Sequence, residues 1–127
     1  MKVKSLKELY LEGLQDVYDA ENQIVKALPN MAKVTSNSKV RQAFEEHLEQ
    51  TRGHVQRLEQ VFEGLGESAK SKKCDGLRGI LDEGEKPISE GEQGPVLDAG
   101  LIAGAQRVEH YEMAAYGSLR TWGPGTR

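Results

Sequence analysis

The sequence predicts an all-α protein, a bundle of three long helices and one short one. Two observations predict it. Apolar residues recur at spacings of three and four over long stretches, and no segment shows the strict alternation of a half-buried strand. Clusters of Gly, Pro, Ser and Asn fall between the periodic stretches and punctuate them. At 1.5 Å per residue the long helices reach on the order of 40 Å, enough to form a bundle.

The first helix begins at a capping box, Ser5-Leu6-Lys7-Glu8, in which the serine binds the third amide and the glutamate reaches back to the cap. Leu6, Leu9, Leu14, Val17, Glu21, Ile24, Leu28 and Met31 then step at the helical period. Pro29 either kinks this helix or moves its end back to about Leu28. Thr35-Ser36-Asn37-Ser38 reads as a turn and an N-cap. The second helix covers about 39–65, with Val40, Phe44, His47, Thr51, His54, Leu58 and Phe62 on one face and Gly64-Leu65-Gly66 as its C-cap. A polar, basic connector follows over 67–73. The pattern weakens over 75–94, where five glycines and Pro87 interrupt Leu77, Ile80, Leu81 and Ile88; a short, imperfect helix and a loop are expected there. Gly94-Pro95 opens the third long helix, about 96–122, whose apolar set includes Leu97, Leu101, Val108, Tyr116 and Leu119. The expected division is a helical domain over 1–122 and a non-helical tail over 123–127.

Composition narrows the function. Lys and Arg number 17 against 20 Asp and Glu, a formal net charge of −3, so there is no basic excess for a nucleic-acid partner. The 37% hydrophobic and 6% aromatic content, with a mean hydropathy of −0.61, indicates a modest aliphatic core. One cysteine, Cys74, forms no internal disulfide, and the N-terminus has no apolar signal region, so a cytoplasmic protein is expected. No segment has the roughly 20 apolar residues of a membrane span. There is no phosphate-binding glycine loop, nucleophile elbow or CxxC pair. The acidic residues over 82–92 lack the oxygen spacing and central glycine of a calcium loop and read as a solvated face. Three lysines precede Cys74 and could lower its pKa, but with no base or resolving cysteine it reads as a structural or incidental thiol.

The chemistry that remains is carboxylate and imidazole inside the bundle. Glu21 lies on the apolar stripe between Val17 and Ile24. A buried carboxylate there must be protonated, paired or bound to a cation, unless the helix phase differs and it snorkels out from the stripe's edge. His47 and His54, seven residues apart, share an angular position with Thr51 between them. Alone, either histidine reads as part of a hydrogen-bonded core layer; beside a buried glutamate, the set suits iron, manganese or zinc. On the third long helix Glu112 falls on the core stripe, and Glu109, three residues before it, shares its face or points outward. The inward groups are thus Glu21, His54 and Glu112 from three helices, with Glu109 and His47 as additions.

The stretches Leu14-Gln15-Asp16-Val17-Tyr18-Asp19-Ala20-Glu21, Phe44-Glu45-Glu46-His47-Leu48-Glu49-Gln50-Thr51, Arg57-Leu58-Glu59-Gln60-Val61-Phe62 and Ala105-Gln106-Arg107-Val108-Glu109-His110-Tyr111-Glu112 resemble the bacterial YciF/YciE-like stress proteins over about residues 3–122. The resemblance implies a ferritin-like antiparallel bundle, usually dimeric and related to rubrerythrin-type diiron proteins, with Glu21 and Glu112 as central carboxylates and Glu109 preceding the latter. Two departures stand out. Gln50 occupies a position where members often carry glutamate, with His54 one turn on. Relatives also continue past Trp122 into a further long helix, so the final bundle helix is expected to be missing, or its packing surface supplied by a second chain. Two functions follow. One is a ferritin-like stress-response protein with a carboxylate-bridged Fe or Mn di-metal centre at Glu21, His54, Glu109 and Glu112, handling iron or peroxide. The other is a metal-free helical structural or interaction module. Both expect a homodimer or larger homo-oligomer, with neither nucleic acid nor membrane as partner.

Overall fold

The computed structural model describes residues 3–126, and its regular structure is helical throughout. Four α-helices follow one another: α1 Leu6–Val34, α2 Ser38–Gly64, α3 Asp75–Glu90 and α4 Pro95–Trp122. None is long and apolar enough to cross a membrane. Helix α1 is the central element, packing on α2, α3 and α4, while α3 packs on α4.

Local chemistry sets the boundaries. Ser5 caps α1 by accepting the Glu8 amide at 3.1 Å, and the Glu8 carboxylate accepts the amide of Lys4, one residue before the cap. Pro29 does not end α1, which continues to Val34. Its ring is exposed, so water can take the carbonyl that loses its donor. The Arg41 guanidinium donates to the carbonyls of Ala32 and Thr35 at the end of α1. Asn37 is the N-cap of α2, accepting the amides of Lys39 and Val40, and Gly66 follows the helix at φ +70°. Helix α4 starts with Pro95 in its first turn, behind Gly94 at φ +157°, a conformation that favours glycine.

Two regions depart from the sequence-based expectation, and Cys74 keeps the structural role expected of it. The segment expected to be a short, imperfect helix forms 16 residues of helix with Pro87 in its last turn. Close packing on α4 permits this: Pro87 lies against Gly100 of α4, where a Cβ would meet its ring at 3.3 Å. Cys74 is the N-cap of α3, and its Sγ accepts the Leu77 amide at 3.5 Å. Burial raises the thiol's pKa rather than nearby lysines lowering it. The tail expected to be non-helical takes a 3-10 turn over Gly123–Thr126, while Arg127 lies outside the described residues.

The apolar core is in two parts. One joins Ile24 and Leu28 of α1 to Phe44, Leu77, Leu101 and Val108. The other joins Leu14 and Val17 to Leu58, Phe62 and Leu119. Along each long helix a polar position falls between the two: Glu21 on α1, Thr51 and His54 on α2, Glu112 on α4. The site therefore lies where the two clusters meet.

A second buried carboxylate ties the chain ends of the helices together. Asp98 accepts the Thr35 hydroxyl at 2.7 Å, the Ser36 hydroxyl at 2.5 Å and the Ser36 amide at 2.9 Å, joining the α1–α2 turn to the start of α4. These hydrogen bonds hold its pKa below the ordinary aspartate value. A depressed folded-state pKa gives stability that is present above the unfolded value of about 3.9 and is lost as pH falls through the folded value. Asp98→Asn is therefore expected to lower the melting temperature at pH 7 and to shrink that gap below pH 4. Equal destabilisation across the whole range in calorimetry would refute the assignment. Phe62 is fully buried in the smaller cluster, so Phe62→Ala is expected to cost about 3–5 kcal/mol in urea unfolding. A loss under about 1 kcal/mol would mean that this half of the core is not packed as described.

Candidate metal centre

The position of Glu21 follows from helical geometry. Leu14, Val17, Ile24 and Leu28 turn one face of α1 into the core, and Glu21 lies on that face with no exposure to solvent. Opposite it on α2, His54 Nδ1 is hydrogen-bonded to Glu21 Oε2 at 2.9 Å. Glu112 of α4 is 8% exposed; its Oε2 is 3.9 Å from the same His54 nitrogen, and its Oε1 is hydrogen-bonded to His47 Nε2 at 3.2 Å. Glu112 is thus shared between the two histidines. Donor atoms of Glu21, His54 and Glu112 lie within 4.8 Å of one another.

Two carboxylates so close cannot both ionise cheaply. Burial, reinforced by Glu112, pushes Glu21 up to about 9. Burial also acts to raise Glu112, but hydrogen bonds from His47 and Glu21 outweigh it and hold that carboxyl below its ordinary value. Near neutral pH the pair therefore keeps one proton, on Glu21. His47 is raised by its bond to Glu112, and His54 is lowered by burial.

A cation would meet the donor set at its unsatisfied atoms. Glu21 Oε1 and the Tyr116 hydroxyl are buried without a partner in hydrogen-bond geometry. A buried oxygen left unpaired marks a place where a partner is missing. Two carboxylates and an imidazole are suitable ligands for iron, manganese or zinc. The residues fit a cation.

The structure brings together Glu21, His54 and Glu112, and adds His47 through Glu112. It leaves Glu109 outside this group: Glu109 is exposed and lies on the wall of a groove of about 500 Å³ between α2 and α4, as does Gln50. Its charge reaches His47, which it helps to raise. Thr51, three residues before His54, is where carboxylate bundles carry the glutamate of a Glu-x-x-His pair. Here it is buried and donates to the His47 carbonyl at 2.7 Å. Sequence reasoning placed Tyr116 among apolar residues. Its position one turn after Glu112 was the available signal: its ring meets that of His54 edge-on at 5.7 Å.

The proton on Glu21 has a measurable consequence. Between about 4.5 and about 9 the folded, metal-free protein holds a proton that the unfolded chain releases, so stability should fall as pH rises through that window. The slope is at most about 1.4 kcal/mol per pH unit for one proton. Glu21→Gln keeps the shape without the titration, so its stability relative to the parent should rise from pH 6 to pH 8.5 in chelator-treated urea unfolding. Parallel profiles for the two proteins would count against a protonated Glu21.

Comparison with known proteins agrees with the fold. Residues 5–124 match a family described as a domain of unknown function, DUF892. The chain is 43% identical over 122 residues to the protein YciF of Escherichia coli K12, covering 95% of this chain and 74% of that protein. The crystal structure of the E. coli stress protein YciF superposes with a TM-score of 0.91 at 41% identity, covering 97% of this chain and 78% of that one. The structure of YcfI from Rhodopseudomonas palustris, described as a candidate structural protein, gives a TM-score of 0.94 at 40% identity, covering 98% and 79% respectively. With the match running through all four helices and across Glu21, His54 and Glu112, the chain belongs to the DUF892 family.

Proposed function

We propose that this chain is a ferritin-like stress-response protein that holds iron or manganese at Glu21, His54 and Glu112 and acts on iron or peroxide. The observation that carries the reading is the fully buried Glu21 carboxylate, with one oxygen unpartnered, within 4.8 Å of two further ligand groups. The similarity to a protein described as a stress protein supports the cellular role. A bound iron or manganese would supply one-electron redox chemistry toward small oxidants. Glu21 forms the closed end of the site, and releasing its proton frees a second anionic oxygen for the cation, so affinity should rise with pH. Glu112 faces His54 with one oxygen and His47 with the other, so it would hold a cation together with either histidine. The groove between α2 and α4 exposes the histidine side of the site to solutes as small as peroxide.

The second reading is a metal-free structural module that dimerises through this groove. It is favoured by a specific observation: His47 with Glu112 and His54 with Glu21 already satisfy one another in pairs. The groove also carries Met113, 69% exposed, on its wall. A second copy covering that surface would remove apolar area from water.

Metal content decides between them. After loading with Fe(II) or Mn(II) without oxygen and exhaustive dialysis, elemental analysis should find one ion per chain, or two if Glu112 bridges. Glu21→Gln and Glu112→Gln should each weaken binding by more than roughly tenfold, since even residues behind metal ligands command that much. A chain that stays metal-free after loading ends the metal reading. Light scattering should show a dimer or larger species in either case, and a monodisperse monomer at high concentration would contradict the expected assembly.

A further inference from the structure

We propose that Tyr116 is a fourth protein ligand of the centre, binding ferric iron through its phenolate oxygen. The proposal rests on reading the Glu21–His54–Glu112 layer as a metal site. Tyr116 follows Glu112 by one helical turn on α4, so its side chain shares the face that carries that carboxylate. Its ring meets the His54 imidazole edge-on, with centroids 5.7 Å apart and planes at 62°. The ring is therefore located against one ligand and the backbone against another. Tyr116 also lines the groove beside His54 and Glu112.

The hydroxyl is the decisive feature. Tyr116 Oη is buried and has no partner in hydrogen-bond geometry, and the same is true of Glu21 Oε1. The two groups are neighbours: after burial itself, the Glu21 carboxylate is the main influence that raises the phenol's pKa. A buried tyrosine hydroxyl ordinarily finds an acceptor. Here the phenol and the Glu21 carboxylate have each other as electrostatic partners, yet Tyr116 Oη and Glu21 Oε1 do not meet in good hydrogen-bond geometry. A cation held by Glu21 and His54 would engage both oxygens.

The donor chemistry selects the oxidation state. Anionic oxygens are hard ligands, and adding a phenolate to two carboxylates gives three of them with one imidazole, a set suited to a small trivalent cation. In the metal-free protein the phenol remains protonated, since burial and the neighbouring carboxylates disfavour its anion. On binding, an iron–oxygen bond forms as the phenol O–H bond breaks. The proton leaves through the groove to solvent, and no electron moves when the iron is supplied as Fe(III).

The test uses the full chain loaded with Fe(III) supplied as its citrate complex. A phenolate bound to ferric iron gives a visible charge-transfer band and, on excitation in that band, phenolate ring modes in the resonance Raman spectrum. Neither carboxylates nor imidazoles produce this signature. The expected result is bound iron with the band in the parent protein, and bound iron without it in Tyr116→Phe. The sequence holds four tyrosines, so Tyr10→Phe, Tyr18→Phe and Tyr111→Phe should each retain the band. Those three variants assign the ligand by elimination even if Tyr116→Phe fails to fold. Iron bound with no band, or a band that one of the other three substitutions abolishes, overturns the proposal while leaving the metal centre standing. No iron bound in the parent overturns the proposal as well, and the Fe(II) or Mn(II) loading above then decides the metal reading separately.

Discussion

A carboxylate buried in an aliphatic core governs the rest of this molecule. Glu21 has no solvent contact, and burial disfavours its charged form strongly enough to keep it protonated well above its usual range. Everything around it is arranged to make that burial tolerable. His54 takes one oxygen, Glu112 carries the negative charge of the pair, and His47 balances Glu112 from the other side. Three helices must keep their register for these contacts to exist together.

The layer also explains why the core is divided. A continuous apolar stripe along each long helix would give one uninterrupted cluster, packed without polar groups to satisfy. Instead the stripe is broken at matching heights on α1, α2 and α4, leaving Ile24, Phe44 and Val108 on one side and Leu14, Phe62 and Leu119 on the other. Unsatisfied buried oxygens are destabilising, and Glu21 Oε1 and Tyr116 Oη are without a partner in hydrogen-bond geometry. Stability alone would favour an apolar residue at Glu21, so the arrangement is one in which structure is given up at a site where chemistry can be gained.

Elsewhere the chain satisfies most of its buried polar groups, with Glu12 Oε2 and Gln23 Oε1 the unpartnered oxygens outside this layer among the described residues. Asp98 receives three hydrogen bonds from Thr35 and Ser36. Tyr111 donates to Asp16 at 3.0 Å and is bonded to Cys74 Sγ at 2.9 Å, and the Cys74 amide donates to Asp19. These contacts fasten α3 and the ends of the helices around α1.

Helical periodicity and capping chemistry are local, so the sequence alone determined the all-α class, the three long helices, the cap at Ser5, a turn and N-cap within Thr35-Ser36-Asn37-Ser38, and the inward direction of Glu21 and Glu112. It under-read α3, because glycine and proline weaken helix propensity while packing against α4 can override it. It also took Pro29 as a possible terminus, although a proline on an exposed face is tolerated. What only the tertiary structure decided depends on where helices meet. It pairs His54 with Glu21 and His47 with Glu112, leaves Glu109 on the groove wall, assigns Cys74 to a cap, and brings Tyr116 to His54. A helical pattern specifies which face a side chain occupies, whereas ligand geometry depends on the rotation and height of one helix relative to its neighbours, which the packing of the whole core sets.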